Sequence, residues 1–391
     1  MTSADAGRAP RVFIVAGEHS GDHLGAGLIR ALRERAPGVS VAGVGGDAMA
    51  GEGLSSLFPL SDIAVMGFVP VVARLPQLLR RIRDTADAAV AAKPDVLVIV
   101  DSPDFTHRVA KRVRASAPGI PVVDYVSPTV WAWRPGRAPA MRAYVDHLLA
   151  LLPFEPAAHL RLGGPPCTYV GHPLIERLDA LRPDAAEAAA RSRPTLLVLP
   201  GSRRSEIQRL TAVFGDAVGL VAERVPGLDV VLPAVADRAD EIRARVRSWP
   251  VAPRLVMGEA AKLAAFRSAR AALAASGTVT LELALSGVPM AVAYRVSPLE
   301  TWLRFVVKVP SIVLPNLILG DNAFPEFLQG ACTAEALAAA VLPLMGDTPA
   351  RAAQLAAFAR LDGAMRIAPG STPSAEAARI VLAAASAPHR P

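Results

Sequence analysis

The run RVFIVAG, residues 11–17, is apolar without alternation and ends in Glu18-His19-Ser20-Gly21-Asp22. It passes directly into the helical pattern HLGAGLIRALRERA. A strand with no polar face must be covered on both sides. Parallel neighbours need a crossover, usually a helix, between them. The unit recurs in VSVAGVGG, PDVLVIVDSPD, IPVVDYVSP, HLLALLPF and CTYVGHPL, with amphipathic stretches such as RVAKRVRASA between. These residues predict a doubly wound α/β domain. The pattern lapses in IERLDALRPDAAEAAARSRP, which is polar and has no strand signal. It restarts at PTLLVLPGSRRSEI and continues through LDVVLPAV, PRLVMGE, AALAASG and PMAVAYRV. The expected organisation is a first domain over residues 1–174 and a second over 175–365. Residues 366–391 form a terminal helix that can return to the first domain. Two such domains in tandem leave a cleft between them. Ligands of open parallel sheets bind beyond the carboxyl ends of the strands, so the loops there should carry the chemistry.

Of the 391 residues, 42 are Lys or Arg and 35 are Asp or Glu, a net charge of +7 with pI about 10.0. That balance fits a solvated arginine-rich surface as well as a face for phosphate or anionic lipid. The two cysteines, Cys167 and Cys332, have no metal-like spacing; they argue against a disulfide scaffold and fit a reducing compartment. The opening MTSADAGRAP lacks the apolar stretch of a signal peptide, and no uncharged apolar run reaches the ~18 residues of a spanning helix. A cytoplasmic protein, at most resting on a membrane surface, is expected.

Several strand exits hold reactive or ligand-binding residue types. Gly201-Ser202-Arg203 lies between a strand and a helix, where close backbone approach, helix-start amides and a guanidinium suit phosphate. A tight turn with a surface arginine explains the same residues. Ser276-Gly277-Thr278 repeats the arrangement, and Glu282 in the following helix can accept hydrogen bonds from ribose hydroxyls or complement the helix dipole. Asp101 is first out of its strand and is expected to be a general base; Asp104 suits a cap or structural partner. Trp131 and Trp133, with Arg134 and Arg137, can line an acceptor cleft or pack a loop. His172 reads as a structural hydrogen-bonder. The stretch VMGFVPVVARLPQLLRRIR sets Phe68, Val69, Leu75, Leu78 and Leu79 beside Arg74, Arg80, Arg81 and Arg83. It suits either a helix at a lipid surface or an ordinary core helix. A second apolar–basic stretch includes Trp302–Lys308.

In order along the chain, AGEHSGDHLGAGLIRAL, GVGGDAM, AVMGFV, PDVLVIVDSPDF, VSPTVWAWR, LPFE, VGHPL, LPGSRRSEI, ASGTVTLE, PMAVAYR, LPNLILG and PEFLQ together resemble the lipid-A-disaccharide synthase family. The resemblance implies the GT-B fold: two Rossmann-like domains facing across a cleft. It implies an inverting transfer from UDP-2,3-diacylglucosamine to 2,3-diacylglucosamine 1-phosphate. The products are a β-1,6-linked disaccharide 1-phosphate and UDP, formed without metal or other cofactor. It implies that Asp101 is the catalytic base and that Arg203 serves the UDP side. Glu282 and Asn316 then lie in nucleotide-side motifs, and Glu18, Ser20, Gly21 and Asp22 in an acceptor-side active-site loop with Trp133. Glu18 and Asp22 suit sugar hydroxyls, loop orientation or pairing with arginine. The implied partners are the acylated donor and acceptor and the inner, anionic face of the cytoplasmic membrane. No nucleic acid is expected, and a homodimer is compatible. The chain departs from the family pattern at Asp47, often Pro, and at Pro70, often Glu. A UDP-sugar epimerase of the same fold and a non-catalytic nucleotide-sugar or lipid binder are the competing classes. The lipid-facing stretches argue against the first, and Asp101, Arg203 and Glu282 together argue against the second.

Overall fold

The computed structural model describes residues 8–64, 74–296 and 309–387. Phe68, Val69, Pro70 and Trp302–Lys308 therefore lie outside the described residues.

The chain divides into two compact units, Met1–Ile175 with Ile367–Pro391, and Glu176–Arg366. Unit one holds β1 (Arg11–Ala16), β2 (Ser40–Val44), β3 (Val96–Val100), β4 (Val122–Tyr125), β5 (His147–Ala150) and β6 (Cys167–Tyr169), in the order β2-β1-β3-β4-β5-β6. All its pairings are parallel. The period of two along each strand divides the core. Phe13, Val15, Leu97 and Ile99 face a layer containing Ile82, Phe105 and Val109. Val12, Ile14, Val98 and Val100 face the other side, against Leu28, Ile29 and Leu32 of the helix His19–Arg35. Ala377, Ala378 and Val381, of the terminal helix Pro373–Ala385, join that second layer. Both faces are covered, which is why the strands read as unbroken apolar runs.

Unit two holds β7 (Thr195–Leu199), β8 (Asp229–Ala234), β9 (Arg254–Met257), β10 (Ala271–Ala275), β11 (Met290–Tyr294) and β12 (Glu326–Leu328), in the order β12-β11-β10-β7-β8-β9. It is also wholly parallel. The three-residue edge strand β12 is an addition to the strands expected from sequence. The polar passage after residue 175 is held tightly to this unit. Its Arg191 donates to the carbonyls of Phe266, Arg267, Ser286 and Gly287. Burial lowers the Arg191 pKa to about 10.

Each sheet reverses its winding once, between β1 and β3 in unit one and between β7 and β10 in unit two. At such a reversal the two flanking loops diverge to opposite faces and leave a crevice at the strand ends. No described helix is long and apolar enough to cross a membrane.

Candidate active site

In unit one the loops after β1 and β3 meet. A Cβ placed on Gly17 would lie 2.4 Å from Ser102 Cβ, so only glycine permits this approach. The junction brings Ser20 Oγ to donate to Asp101 Oδ2 at 2.8 Å. Ser102 N donates to Asp101 Oδ1 at 2.7 Å, and Thr106 Oγ1 to the Asp101 carbonyl at 2.7 Å. Asp101 (φ +55°) and Ser102 (+46°) are both left-handed. Such conformations in residues other than glycine cost of order 1–3 kcal/mol each and persist where surroundings over-determine them. Val126 (φ +97°) and Arg134 (+52°) share this strain. For β-branched Val126 it is a true outlier. Asp101, Val126 and Arg134 line one cavity of about 290 Å³ with Ser127, Thr129, Trp133 and Arg137.

Gly21 packs its α-carbon toward the Val100 carbonyl and Asp101, bringing the helix close to the β3 exit. Asp22, also assigned to this loop, is 3% exposed and turned away from the cavity. Its carboxylate accepts from Gly46 N at 2.7 Å, Ala48 N at 2.9 Å and Met49 N at 3.1 Å. Of the roles open to it, loop orientation is the one its geometry serves. This also accounts for the departure at Asp47, the one amide of that turn that Asp22 does not use. Proline and aspartate both suit a first helical position.

Glu18 stands at the start of the helix His19–Arg35 and borders a second cavity of about 240 Å³. Ile63, Leu75, Leu78, Leu79, Ile82 and Phe105 give that cavity an apolar wall. Pro103 and Asp104 line both cavities, so the space at Asp101 adjoins one that has an apolar wall on one side and Glu18, Ser102 and Arg108 on the other. Asp104 is a structural partner, receiving Arg137 Nη2 at 3.3 Å, and makes no side-chain cap.

The two tryptophans separate in role. Trp133 lines the Asp101 cavity, with the Arg134 guanidinium 4.1 Å from its ring centre. Trp131 is a packing residue: its Nε1 donates to Glu155 Oε1 at 3.1 Å, and its ring meets Phe154 edge-on. Burial pushes the Glu155 carboxyl up to about 7. His172 accepts from Leu174 N at 3.2 Å, and burial lowers its pKa to about 4, leaving a neutral hydrogen-bonder.

In unit two the loops after β7 and β10 line a cavity of about 580 Å³. Gly201, Ser202, Arg203, Ser276, Gly277, Thr278 and Glu282 all border it. Two details differ from the sequence expectation. The helix-start amides of the Gly-Ser-Arg loop are engaged, because Ser202 N and Arg203 N donate to Glu206 Oε2 at 3.1 and 3.2 Å. Gly201 (φ +109°) permits this turn, since a Cβ there would meet the Glu206 side chain at 2.4 Å. Asn316, expected on the nucleotide side, is held by the backbone of Phe324. It is 2% exposed, donates to the Phe324 carbonyl at 2.9 Å, accepts from Phe324 N at 3.0 Å, and is absent from the cavity wall.

The helix Thr278–Leu285 opens on the cavity behind Gly277, which offers no side-chain cap. Thr280 N donates to the Gly277 carbonyl at 3.1 Å, and the amides before it at the helix start have no intrahelical acceptors, a geometry that suits an anion. The Ser276 hydroxyl is committed to the Ile312 carbonyl at 2.7 Å. Glu282 accepts from Lys262 Nζ at 3.0 Å, and Lys262 also lies 3.2 Å from Glu259. Glu206 and Lys262 were missed from sequence. Glu206, three residues into its helix, fits an acidic capping position; Lys262 gave no signal, being 20 residues from its partner. Among the described residues no group of three or more His, Cys, Asp or Glu is arranged to hold a metal ion.

Two parallel sheets, each with its loop cluster at a winding reversal, one presenting a carboxylate and the other an anion-ready helix start, define an α/β enzyme of the GT-B fold class. The fold is shared with solved structures of low sequence identity. A putative UDP-N-acetylglucosamine 2-epimerase from Listeria monocytogenes matches at TM-score 0.62, 14% identity and 96% coverage of each chain. A calicheamicin glycosyltransferase matches at TM-score 0.58 and 16% identity, over 96% of this chain and 98% of its own. The family model for Lipid-A-disaccharide synthetase matches residues 12–364. A lipid-A-disaccharide synthase of Nitrobacter hamburgensis is 57% identical over 385 residues, covering 97% of this chain and 96% of the relative. The chain belongs to the lipid-A-disaccharide synthase family and is a glycosyltransferase.

Proposed function

We propose that the enzyme transfers 2,3-diacylglucosamine from its UDP conjugate to 2,3-diacylglucosamine 1-phosphate, with inversion, giving the β-1,6-linked disaccharide 1-phosphate and UDP. The observation that carries this reading is the pairing of a strained strand-end carboxylate, Asp101, with a cavity that adjoins a second one bearing an apolar wall. A sugar headgroup suits the space at Asp101 and acyl chains suit the apolar wall. Asp101 accepts the proton of the attacking hydroxyl; Ser20, donating to one carboxylate oxygen, orients it. UDP occupies the unit-two cavity, its diphosphate at the Thr278 helix start with Arg203 and its ribose at Glu282.

The test is UDP release with mass spectrometry of the product. UDP should appear over many turnovers only when acylated acceptor is present, with the mass of a tetraacyl disaccharide phosphate. UDP release without acceptor, or an epimerised nucleotide sugar as sole product, overturns the reading in favour of epimerase chemistry.

The same reading places the enzyme in the cytoplasm, on the inner face of the membrane. Leu75 and Leu79 are exposed on the helix Leu75–Ala92, beside exposed Arg80 and Arg83. Arg81 is excluded from this surface. It donates twice to Asp62 and lies over the Phe58 ring, fastening the helix to its own unit. Replacing Arg80 and Arg83 by Ser should therefore weaken salt-sensitive binding to anionic vesicles by about 1 kcal/mol per residue. Unchanged flotation of the double variant would remove this helix as the anchor.

A further inference from the structure

We propose that Arg134 and Arg137 form a phosphomonoester site within the Asp101 cavity, and that this site selects the acceptor by its anomeric phosphate. The proposal deepens the function proposed above and rests on it. Three independent observations support it. First, both arginines line the same wall system as Asp101, so a ligand that offers a hydroxyl to the carboxylate also meets two guanidinium groups. Second, Arg134 is held ready. Its backbone is left-handed at φ +52°, and its exposed guanidinium is stacked on Trp133. Strain of that kind in a residue other than glycine is retained where a particular presentation matters, and stacking keeps the planar donor fork ordered for a phosphate. Third, Arg137 is only lightly engaged. Its partner Asp104 is 85% exposed on its side chain and joined by a single 3.3 Å contact, so a phosphate can take over that donor at little cost.

Size points the same way. The cavity, about 290 Å³, lies at the lower end of ligand pockets, which hold roughly 300–1,000 Å³. It suits a hexose phosphate headgroup and leaves the acyl chains to the apolar wall of its neighbour. Inside it the phosphate is the feature that two cations can read. The Thr129 backbone turn closes the same wall, accepting from Ala132 N and Trp133 N at 2.9 and 3.0 Å, and so holds Trp133 beneath Arg134.

The experiment compares transfer to 2,3-diacylglucosamine 1-phosphate with transfer to its dephosphorylated form, in neutral detergent micelles free of anionic lipid. For the double variant Arg134→Ala/Arg137→Ala, kcat/KM on the phosphorylated acceptor should fall by about 10²-fold, mainly through KM. Hydrogen bonds to charged groups justify about tenfold for each arginine. Transfer to the dephosphorylated acceptor should fall far less than transfer to the phosphorylated one, and Arg134→Lys should restore part of the discrimination. Soluble glucosamine 1-phosphate should compete with acceptor in the parent enzyme and lose that competition in the double variant. An equal loss on both acceptors, with competition unchanged, would mean that the arginines serve the loop and not the phosphate. A loss seen only with anionic vesicles would make them lipid-headgroup contacts. Either result overturns the proposal. Failure of the parent enzyme to transfer to either acceptor would instead sink the underlying function.

Discussion

Asp101→Asn should lower turnover by about 10²–10⁴-fold, the usual worth of general-base assistance, while UDP affinity stays at the parent value. The substitution preserves shape; its one remaining oxygen can still accept from the Ser102 amide, while the Ser20 hydroxyl can rotate to accept from the new amide nitrogen. Thr106 continues to hold the carbonyl at residue 101. What is lost is a basic oxygen at the cavity wall. UDP affinity is the internal control, because the cavity proposed for the nucleotide is built wholly from unit-two residues. Nearly normal turnover in a folded variant would remove Asp101 from the chemistry, and weakened UDP binding would place it on the nucleotide side.

Arg203→Ala should lower kcat by about 10²–10³-fold, the range found when one donor to a developing charge is removed. The structure sharpens the reason. Glu206 holds the Ser202 and Arg203 amides, so the loop after β7 has fewer free donors for a diphosphate than its glycine-rich sequence suggests. The Arg203 guanidinium is 67% exposed and 3.3 Å from Glu206. In the proposed reaction it turns toward the departing diphosphate, whose other contacts would come from the Thr278 helix start. Glu206 keeps its two amide partners in the variant, so the loop should survive. The discriminating measurement is kcat against the UDP dissociation constant. A large fall in kcat with a smaller change in affinity is expected, with partial recovery in Arg203→Lys. A variant as fast as the parent would show that leaving-group charge is met without this arginine.

Eleven of the strands were legible because burial on both faces demands unbroken apolar runs such as RVFIVA and VLVIV. β12 was not. It is three residues long, sits at a sheet edge after Pro325 and is only partly buried, so nothing in its composition demands a strand. The loops that line the cavities were legible for a related reason. Polar residues and glycine stand out where an apolar run stops, and the sheet order then sets those stops beside the winding reversals.

What could not be read was the use each polar side chain makes of its neighbours. Asp22 and Glu18 look equivalent in sequence, yet Asp22 serves three amides 24–27 residues away. Asn316 sits in a family motif but clamps Phe324. The partnership of Lys262 with Glu282 joins two helices that only the fold brings together. Left-handed Asp101, Val126 and Arg134 carry no signature either, because sequence advertises that conformation mainly through glycine.

The central step of the proposed reaction is direct displacement at the donor's anomeric carbon by a hydroxyl that Asp101 deprotonates. The stereochemistry of the new bond tests this most directly, by NMR of the disaccharide formed from the α-linked UDP donor. One displacement assisted by one carboxylate predicts a β linkage throughout. An α-linked product would contradict it, since retention requires a second displacement and a nucleophile that the Asp101 site does not supply.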